Sequence, residues 1–441
     1  MTWSFETDPE WQEQLDWVSE FVINEIEPLE FFIRSPRDRH DPLVRELVFP
    51  LREQVKARGL WACHLGPELG GPGFGQVKLA LLNEVLGTSP LAPSIFGANA
   101  PDSGNSEILA QFGTADQKER FLVPLLEGEL NSAFAMTEPH SGADPKTLRT
   151  SAELDGDEWV ITGEKWFASN ARNADFFIMW AVTDPDQTPY QRSSMLIVPS
   201  DTPGVEFVRH VGLANEPPGD GNQGYLRFDG ARVPADNLLG DRGQAFVLAQ
   251  TRLGGGRVHI AMRTVGLVAR ALDMMCERAV SRETQGEVLA RKQMVQEMIA
   301  DSWLELEQFR LLVLRTAWRI DRLQDYKAVR ADIAAVKAMA PTVLRNVASR
   351  ALQIHGSLGV TNEMPFMDML LHSFVIGIGD GPTEVHKVTL ARQIAGRYRP
   401  AEGLFPSRHI PARRAAAAAR YREVLDRHGI DAARPISANV G

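Results

Sequence analysis

Apolar residues recur at helical spacing through the first 129 residues of the chain. The clearest series is Leu15, Val18, Phe21, Val22 and Ile26. Side chains three or four positions apart share one face of an α-helix, so such a series predicts a helix that buries that face. Further series follow the glycine-rich loop 66–73, and we predict a helical N-terminal domain over residues 1–129.

The pattern changes at about residue 130 to short segments rich in β-branched and aromatic residues. Turn residues separate these segments, among them Asp155-Gly156-Asp157 and Pro203-Gly204. Apolar and polar residues alternate within them, which is typical of strands buried on one face. Residues 130–240 are therefore predicted to form a central β domain, either a barrel or a sandwich.

Long helical stretches return after residue 240. Apolar residues follow one face over residues 244–275, 288–325 and 327–355. Long antiparallel helices favour a four-helix bundle, which we place at residues 241–400. Residues 401–441 are helix-prone and basic, and we interpret them as a C-terminal extension that forms a surface helix or a partly ordered tail. The predicted fold class is α+β.

Composition narrows the range of partners. The 441 residues include 47 basic and 57 acidic side chains, and the net charge of −10 disfavours nucleic acid as a partner. No apolar run reaches the ~20 residues of a membrane-spanning helix. The acidic, aromatic N-terminus carries no export or import signal, so we expect a cytoplasmic protein. Cys63 and Cys276 lie far apart, and no histidine or cysteine spacing suggests a metal site.

Glycine-rich turns interrupt the C-terminal half between residues 353 and 392. One follows a predicted helix that ends near His355, and another precedes a helix predicted to begin near Pro382. Asp380 lies in the second turn, just before a helix N-terminus. An aspartate there can be a helix cap or a catalytic carboxylate at the mouth of a site, and the local sequence leaves both open.

Several dispersed motifs resemble those of the acyl-CoA dehydrogenases. Residues 135–144 (AMTEPHSGAD) are similar to the first signature of that family, residues 163–170 (GEKWFASN) to its flavin-facing strand, and residues 353–359 (QIHGSLG) to its second signature. The resemblance spans roughly residues 10–400. It implies a flavoenzyme that binds FAD and oxidises an acyl-CoA to the 2,3-enoyl-CoA.

One subgroup of the family is closer still. The segments 100–105 (APDSGN) and 380–386 (DGPTEVH) are similar to members that handle long or branched acyl chains. This similarity leaves the chain length, branching and hydroxylation of the acyl group open.

The resemblance also implies a set of cofactor-binding residues. Phe167, where the family usually has Trp, would lie against the flavin ring, and Arg282 would hold the FAD pyrophosphate of a neighbouring subunit. Such sharing implies a homodimer or a homotetramer. Ala143 stands where a Ser or Thr is usual. The full implied set is Phe134, Met136, Thr137, Gly142, Ala143, Phe167, Ser169, Arg282, Thr284, Gln353, Gly356, Pro382 and Glu384.

Asp380 aligns with the family's catalytic glutamate, which takes the α-proton of the substrate. Aspartate is shorter by one methylene, about 1.5 Å. Some members instead place the base just before the residue that corresponds to Arg257, but Gly254–Gly256 offers no carboxylate there. Glu384 has the simpler interpretation of a first-turn acidic residue. The residues implied for the substrate are Glu84, Asn99, Phe246, Arg257, Gly379 and Gly381.

Three functions fit these motifs. The first is an acyl-CoA dehydrogenase that passes electrons to an electron-transfer flavoprotein, and the chain length favours it. The second is an acyl-CoA oxidase that uses O₂. The third is a catalytically inactive homologue that binds CoA, which the replacement of the usual glutamate by Asp380 would explain.

Overall fold

The N-terminal helices begin where the sequence supplies caps. The computed structural model describes residues 6–213, 216–217 and 219–431. Asp8 accepts a hydrogen bond from the Trp11 N–H at the start of the first helix, and Asp41 caps the second helix in the same way. The N-terminal helices are α1 (Pro9–Phe21), α2 (Pro42–Ala57), α3 (Gln76–Leu86), α4 (Ala92–Ile95), α5 (Asp102–Phe112), α6 (Ala115–Gln117) and α7 (Val123–Glu127).

The predicted β domain is one mixed sheet of eight strands in the order β6-β7-β3-β2-β4-β5-β8, with β1 parallel to β4. Apolar side chains of several strands meet in a single cluster, which forms the core on one face of the sheet. All seven residues of β4 are buried, because its other face packs on helices. The strands are β1 (Ser132–Ala135), β2 (Ser151–Asp155), β3 (Glu158–Ser169), β4 (Phe176–Val182), β5 (Ser193–Pro199), β6 (Val205–Val211), β7 (Gln223–Pro234) and β8 (Leu238–Leu239).

Between residues 245 and 395, the chain forms three long helices and two shorter ones. α8 is a single helix of 37 residues that runs through the triple glycine. The hairpin of β9 (Glu283–Thr284) and β10 (Glu287–Val288) leads from α8 to the next helix. The helices are α8 (Ala245–Ser281), α9 (Gln293–Leu323), α10 (Arg330–His355), α11 (Phe366–Ile378) and α12 (Thr383–Ala395). The predicted α+β class, with helical domains on either side of a central sheet, is confirmed.

The N-terminal helices and the C-terminal helices share one hydrophobic core. Buried residues of α1–α4 belong to the same cluster as those of α8–α11. The chain therefore separates into a unit of residues 1–390 and a second unit of residues 391–441. In the second unit, the chain forms helices α13 (Ile410–Arg420) and α14 (Arg422–Arg427); residues 432–441 of the predicted extension lie outside the described part.

Within the described residues, no helix is long and apolar enough to cross a membrane. Among the same residues, no three His, Cys, Asp or Glu side chains come together as metal ligands would.

Candidate active site

Asp380 lies in the tight turn between α11 and α12. Its backbone is left-handed, with φ of 54°, a conformation that costs most residues energy and that aspartate tolerates better than most. Arg257 Nε donates to the carbonyl oxygen of Asp380 at 3.0 Å, and His386 Nε2 lies 3.3 Å from the same oxygen. Two side chains from two helices thus hold this turn in place.

The ring of His386 is neutral in this setting. Its pKa is lowered to about 4 by burial and by the positive charges of Arg257 and Lys337. Since a carbonyl oxygen can only accept, Nε2 must carry the proton and donate it. His386 therefore acts as a fixed hydrogen-bond donor to the turn across the neutral pH range.

The carboxylate of Asp380 lies beside the triple glycine of α8. A methyl group on Gly256 would be 3.7 Å from Asp380 Oδ2, and one on Gly255 would be 3.3 Å from Glu107 Oε2. Successive helical residues point about 100° apart, so the two carboxyl groups lie on adjacent sides of the same helical turn. We call Glu107 and Asp380 the carboxyl pair.

Arg252, one turn earlier on α8, provides the positive charge near this pair. Its guanidinium is buried, donates from Nε to Asn105 Oδ1 at 2.8 Å, and lies 4.0 Å from the ring centroid of Phe134. Burial lowers the pKa of Arg252, while the charges of Asp380 and Glu107 oppose that change. The arginine thus joins α8, α5 and β1 around the site.

A second buried cation lies on the other side of the turn. Lys337 of α10 is fully buried and donates to the carbonyl oxygen of Ile376, in the last turn of α11. Burial lowers the pKa of Lys337 to about 8, and the nearby charge of Asp380 opposes the shift. An ammonium at a helix C-terminus is favourable because carbonyl groups converge there.

Glu107 differs from an ordinary surface glutamate. Burial raises its pKa from 4.5 to about 7, although the charge of Arg252 opposes the rise. The carboxyl group is thus protonated in a large share of molecules at neutral pH. Sequence analysis did not predict a role for this residue. The feature that could have pointed to it is an acidic side chain within helix 102–112, where most of the residues are buried.

The residues predicted to face the flavin form a fixed strip at the end of β1 and along β3. The carbonyl of Met136 accepts from Lys165 Nζ at 3.1 Å, and that of Thr137 accepts from the Trp166 N–H at 2.8 Å. Phe167 has φ of 54° and is 43% exposed, which is unusual for an aromatic residue on a strand. Ser169 Oγ donates to Gln223 Oε1 at 2.7 Å.

Other residues of the predicted cofactor set lie around this strip. A methyl group on Gly142 would lie 3.6 Å from the Thr137 side chain, and Ala143 beside it is exposed. Phe134 lies under Arg252, as described above. At the turn, Pro382 is half-buried and Glu384 is an exposed acidic residue in the first turn of α12.

The remaining predicted cofactor residues lie at the far end of α8. Arg282 and Thr284 follow its last turn, and the exposed Gln353 and Gly356 lie at the matching end of α10. Arg282 is 25 residues beyond Arg257, about 38 Å along a helix with a rise of 1.5 Å per residue. One chain therefore does not bring this group to Asp380.

The predicted substrate residues are also divided. Arg257, Gly379 and Gly381 belong to the Asp380 turn, and a methyl group on Gly381 would lie 3.0 Å from His386 Nε2. Phe246, in the first turn of α8, contacts the ring of Tyr190 at 4.6 Å.

Protein contacts occupy the other two side chains of that set. The Asn99 amide bonds to Arg263 and Ser94. Glu84 forms a two-oxygen ion pair with Arg310 of α9, so its carboxylate is directed to that helix.

Three family models match consecutive parts of the chain. The Acyl-CoA dehydrogenase N-terminal domain matches residues 8–129, the middle domain residues 133–230, and the C-terminal domain residues 243–395. The chain belongs to the acyl-CoA dehydrogenase family.

Relatives of known name agree with this membership. The Mycobacterium tuberculosis protein named "Probable acyl-CoA dehydrogenase FadE2" is 39% identical over 83% of this chain and 89% of its own length. Acyl-CoA dehydrogenase family member 11 of Gallus gallus is 37% identical over 86% of this chain and 50% of its own length. The chain thus spans about half the length of the vertebrate relatives it matches.

A solved structure supports the family fold. Butyryl-CoA dehydrogenase from Megasphaera elsdenii superposes with a TM-score of 0.75 at 26% identity, covering 89% of this chain and all of that one. The acyl-CoA dehydrogenase resemblance seen in the sequence is therefore confirmed at the level of the family.

Proposed function

We propose that this chain is an FAD-dependent acyl-CoA dehydrogenase that converts an acyl-CoA thioester to the trans-2-enoyl-CoA. The observation that carries the proposal is the Asp380 carboxylate, which lies beside Gly256 in a turn held by Arg257 and His386. A positioned carboxylate among buried cations suits the removal of an acidic C–H proton next to a thioester carbonyl. Family members are FAD-dependent.

The residues along β1 and β3 fit a flavin. A planar ring with a polar edge needs an exposed apolar face beside fixed polar groups, and Phe167 next to Thr137 and Ser169 offers both. FAD, when bound, supplies the acceptor for the β-hydrogen, which leaves with its electron pair. Met136 and Thr137 would line its polar edge, since their backbone is fixed by Lys165 and Trp166.

Within this chemistry Asp380 takes the α-proton. The left-handed turn keeps its carboxylate at the side of α8, and Gly256 leaves room for close approach. Arg252 and Lys337 are buried cations near Asp380: burial lowers the pKa of each, and the charge of Asp380 opposes that shift. After the transfer, the neutral carboxyl group can be deprotonated again when product leaves and water returns.

We infer that the FAD site is completed by a second copy of the chain. Arg282 lies about 38 Å from Arg257 along α8, and Gln353 lies at the matching end of α10. Guanidinium and amide groups of this kind suit a pyrophosphate. A homodimer or homotetramer would bring Arg282 and Gln353 of one subunit to the Asp380 site of another. Diluted monomer is expected to lose FAD.

The proposed electron acceptor is an electron-transfer flavoprotein, and the proposed location is the cytoplasm. Anaerobic and aerobic turnover separate the alternatives. Rapid turnover with O₂ alone would favour an acyl-CoA oxidase instead. A flavin that no acyl-CoA bleaches would favour the catalytically inactive, CoA-binding homologue.

The Asp380→Asn variant tests the base directly. Loss of general-base catalysis costs about 10²–10⁴-fold, so bleaching of the flavin by acyl-CoA should slow by that factor in a stopped-flow experiment. Asp186→Asn, in an exposed loop, is the matched control and should bleach at the wild-type rate. Wild-type bleaching in Asp380→Asn would show that another group is the base. A screen of straight, branched and hydroxylated acyl-CoAs would define the substrate.

A further inference from the structure

The carboxyl pair places a second acid beside the first, on the same turn of α8. The sequence offers no carboxylate within Gly254–Gly256, but the fold delivers one there from a different helix. Glu107 Oε2 lies 3.3 Å from where a methyl group on Gly255 would be. Asp380 and Glu107 thus flank adjacent glycines, and only Asp380 has a role in the proposed reaction.

We propose that Glu107 is a specificity-determining residue, whose carboxyl group borders the acyl cavity beside Gly255 and excludes an apolar acyl chain when it is ionised. The inference rests on the proposed function and identifies a second residue of the same site. The space beside Gly255 and Gly256 is bounded by Glu107 Oε2 and Asp380 Oδ2, which lie 3.3 and 3.7 Å from where methyl groups on these glycines would be. The Asp380 end of that space is where the acyl α-carbon would bind. Glu107 borders the same space about 100° further around the helix.

The charged and titratable groups around Glu107 come from three elements. From α8, Arg252 acts on it by charge, and His259 lies 3.8 Å from the same methyl position on Gly255. After α9, the phenol of Tyr326 has a raised pKa, chiefly because it is buried and secondly because of the charge of Glu107. From the α11–α12 turn, Asp380 shares the charge of Arg252. His259 is neutral, since burial lowers its pKa to about 3.

These neighbours leave Glu107 only partly compensated. One buried cation, Arg252, serves both members of the carboxyl pair, and its Nε is already committed to Asn105. An apolar chain that displaces water from an ionised carboxylate leaves that charge without solvation, which is costly. The protonated carboxyl group carries a much smaller penalty. Binding of a saturated chain is therefore expected to require the protonated form.

The expected size of the effect follows from the titration of this group. With burial raising the pKa of Glu107 to about 7, about one molecule in ten remains protonated at pH 8. Apparent affinity falls in proportion to the competent fraction. The half-saturating concentration of an apolar acyl-CoA should thus rise about tenfold between pH 6 and pH 8.

The test is a stopped-flow titration of flavin bleaching in the full-length holoenzyme. Straight-chain acyl-CoAs from butyryl to palmitoyl are the probes, between pH 6 and 8.5, and the half-saturating concentration is separated from the limiting rate. We expect the tenfold rise in wild type and in Glu107→Asp, which keeps the carboxyl group. Glu107→Gln and Glu107→Leu should show a flat profile at the acid-side affinity. Glu119→Gln, on the exposed surface, is the control and should match wild type.

Three results would overturn the inference, and they are distinguishable. If Glu107→Gln and Glu107→Leu both keep the wild-type pH dependence of the half-saturating concentration, with normal bleaching, this inference is overturned while the proposed function stands. A limiting rate in Glu107→Gln as low as that of Asp380→Asn would make Glu107 a base instead of a specificity residue. No bleaching of wild type by any acyl-CoA would overturn the proposed function and this inference together. Thermal unfolding and bound FAD, measured for each variant, identify any that fail to fold.

Discussion

Replacing Lys165 by Met should destabilise the central β domain strongly. Lys165 is completely buried, and its ammonium donates to Glu138 Oε1 at 2.9 Å and to the Met136 carbonyl at 3.1 Å. Glu138 also accepts from the N–H groups of Arg149 and Thr150, at 2.7 and 2.8 Å. Met keeps the length of the side chain but removes the charge, so Glu138 would remain buried without its cation.

The expected loss of stability follows from the fact that removing one partner of a buried ion pair costs more than removing both. Removing one partner leaves an uncompensated charge and costs about 3–5 kcal/mol. Adding Glu138→Gln removes that charge, but the N–H groups of Arg149 and Thr150 donate to different oxygens of Glu138, and Gln has an NH₂ group in place of one of them. One unsatisfied buried donor costs about 1–3 kcal/mol. The double variant should therefore be more stable than Lys165→Met alone, although it carries one more substitution.

Urea unfolding followed by tryptophan fluorescence is the assay, because Trp159, Trp166 and Trp180 all lie in the sheet. A second readout is pH. In wild type, burial raises the pKa of Glu138 but Lys165 and the backbone donors outweigh it, so the pKa lies below 4.5. Without Lys165 the carboxylate should take up a proton more readily, and the deficit of the single variant should shrink as the pH falls from 8 to 5. The reasoning is refuted if the losses in free energy of unfolding caused by the two substitutions are additive. It is also refuted if the loss caused by Lys165→Met is the same at pH 8 and at pH 5.

Three further predictions concern the active site. Because the pKa of Glu107 is raised to about 7 in the fold, the folded state binds this proton more tightly, and stability is lost as the pH rises from 4.5 to 7. At pH 8, Glu107→Gln should therefore unfold at a higher urea concentration than wild type, with a free energy of unfolding larger by up to about 3 kcal/mol. The pKa of His259 is instead lowered to about 3 by burial, so stability is lost as the pH falls below 6.5. His259→Leu should therefore lose less stability than wild type between pH 6 and pH 4 in the same assay. Arg257→Lys lacks the Nε donor to the Asp380 carbonyl, so flavin reduction should slow at least tenfold in stopped-flow measurements, whereas an unchanged rate would show that the turn holds without it.

The sequence alone determined the order of elements and the chemistry of the turn. Helical spacing, strand alternation and turn residues predicted helices, then strands, then helices, because these patterns depend on neighbours in the chain. Asp380 followed from the glycine-rich turn together with the family motifs. The boundary at His355 was correct, and the helix expected near Pro382 begins one residue later, at Thr383.

Contacts between distant segments could not be read in this way. Glu84, a predicted substrate residue, forms an ion pair with Arg310, which is 226 residues away in the chain. Lys165 looked like an ordinary strand residue until Glu138 was placed beside it. The shared core of the N-terminal and C-terminal helices joins segments separated by the whole β domain. Packing of this kind depends on tertiary shape, which local periodicity does not encode.

The carboxyl pair shows the same division. The sequence determined that Gly254–Gly256 has no acidic side chain and that Asp380 lies in a tight turn. Only the tertiary structure decided that Glu107 fills the space beside Gly255 and that Arg252 is shared by both carboxyl groups. The physical reason is that burial and charge are properties of a place in the fold, and that place is assembled here from α5, α8 and the turn before α12.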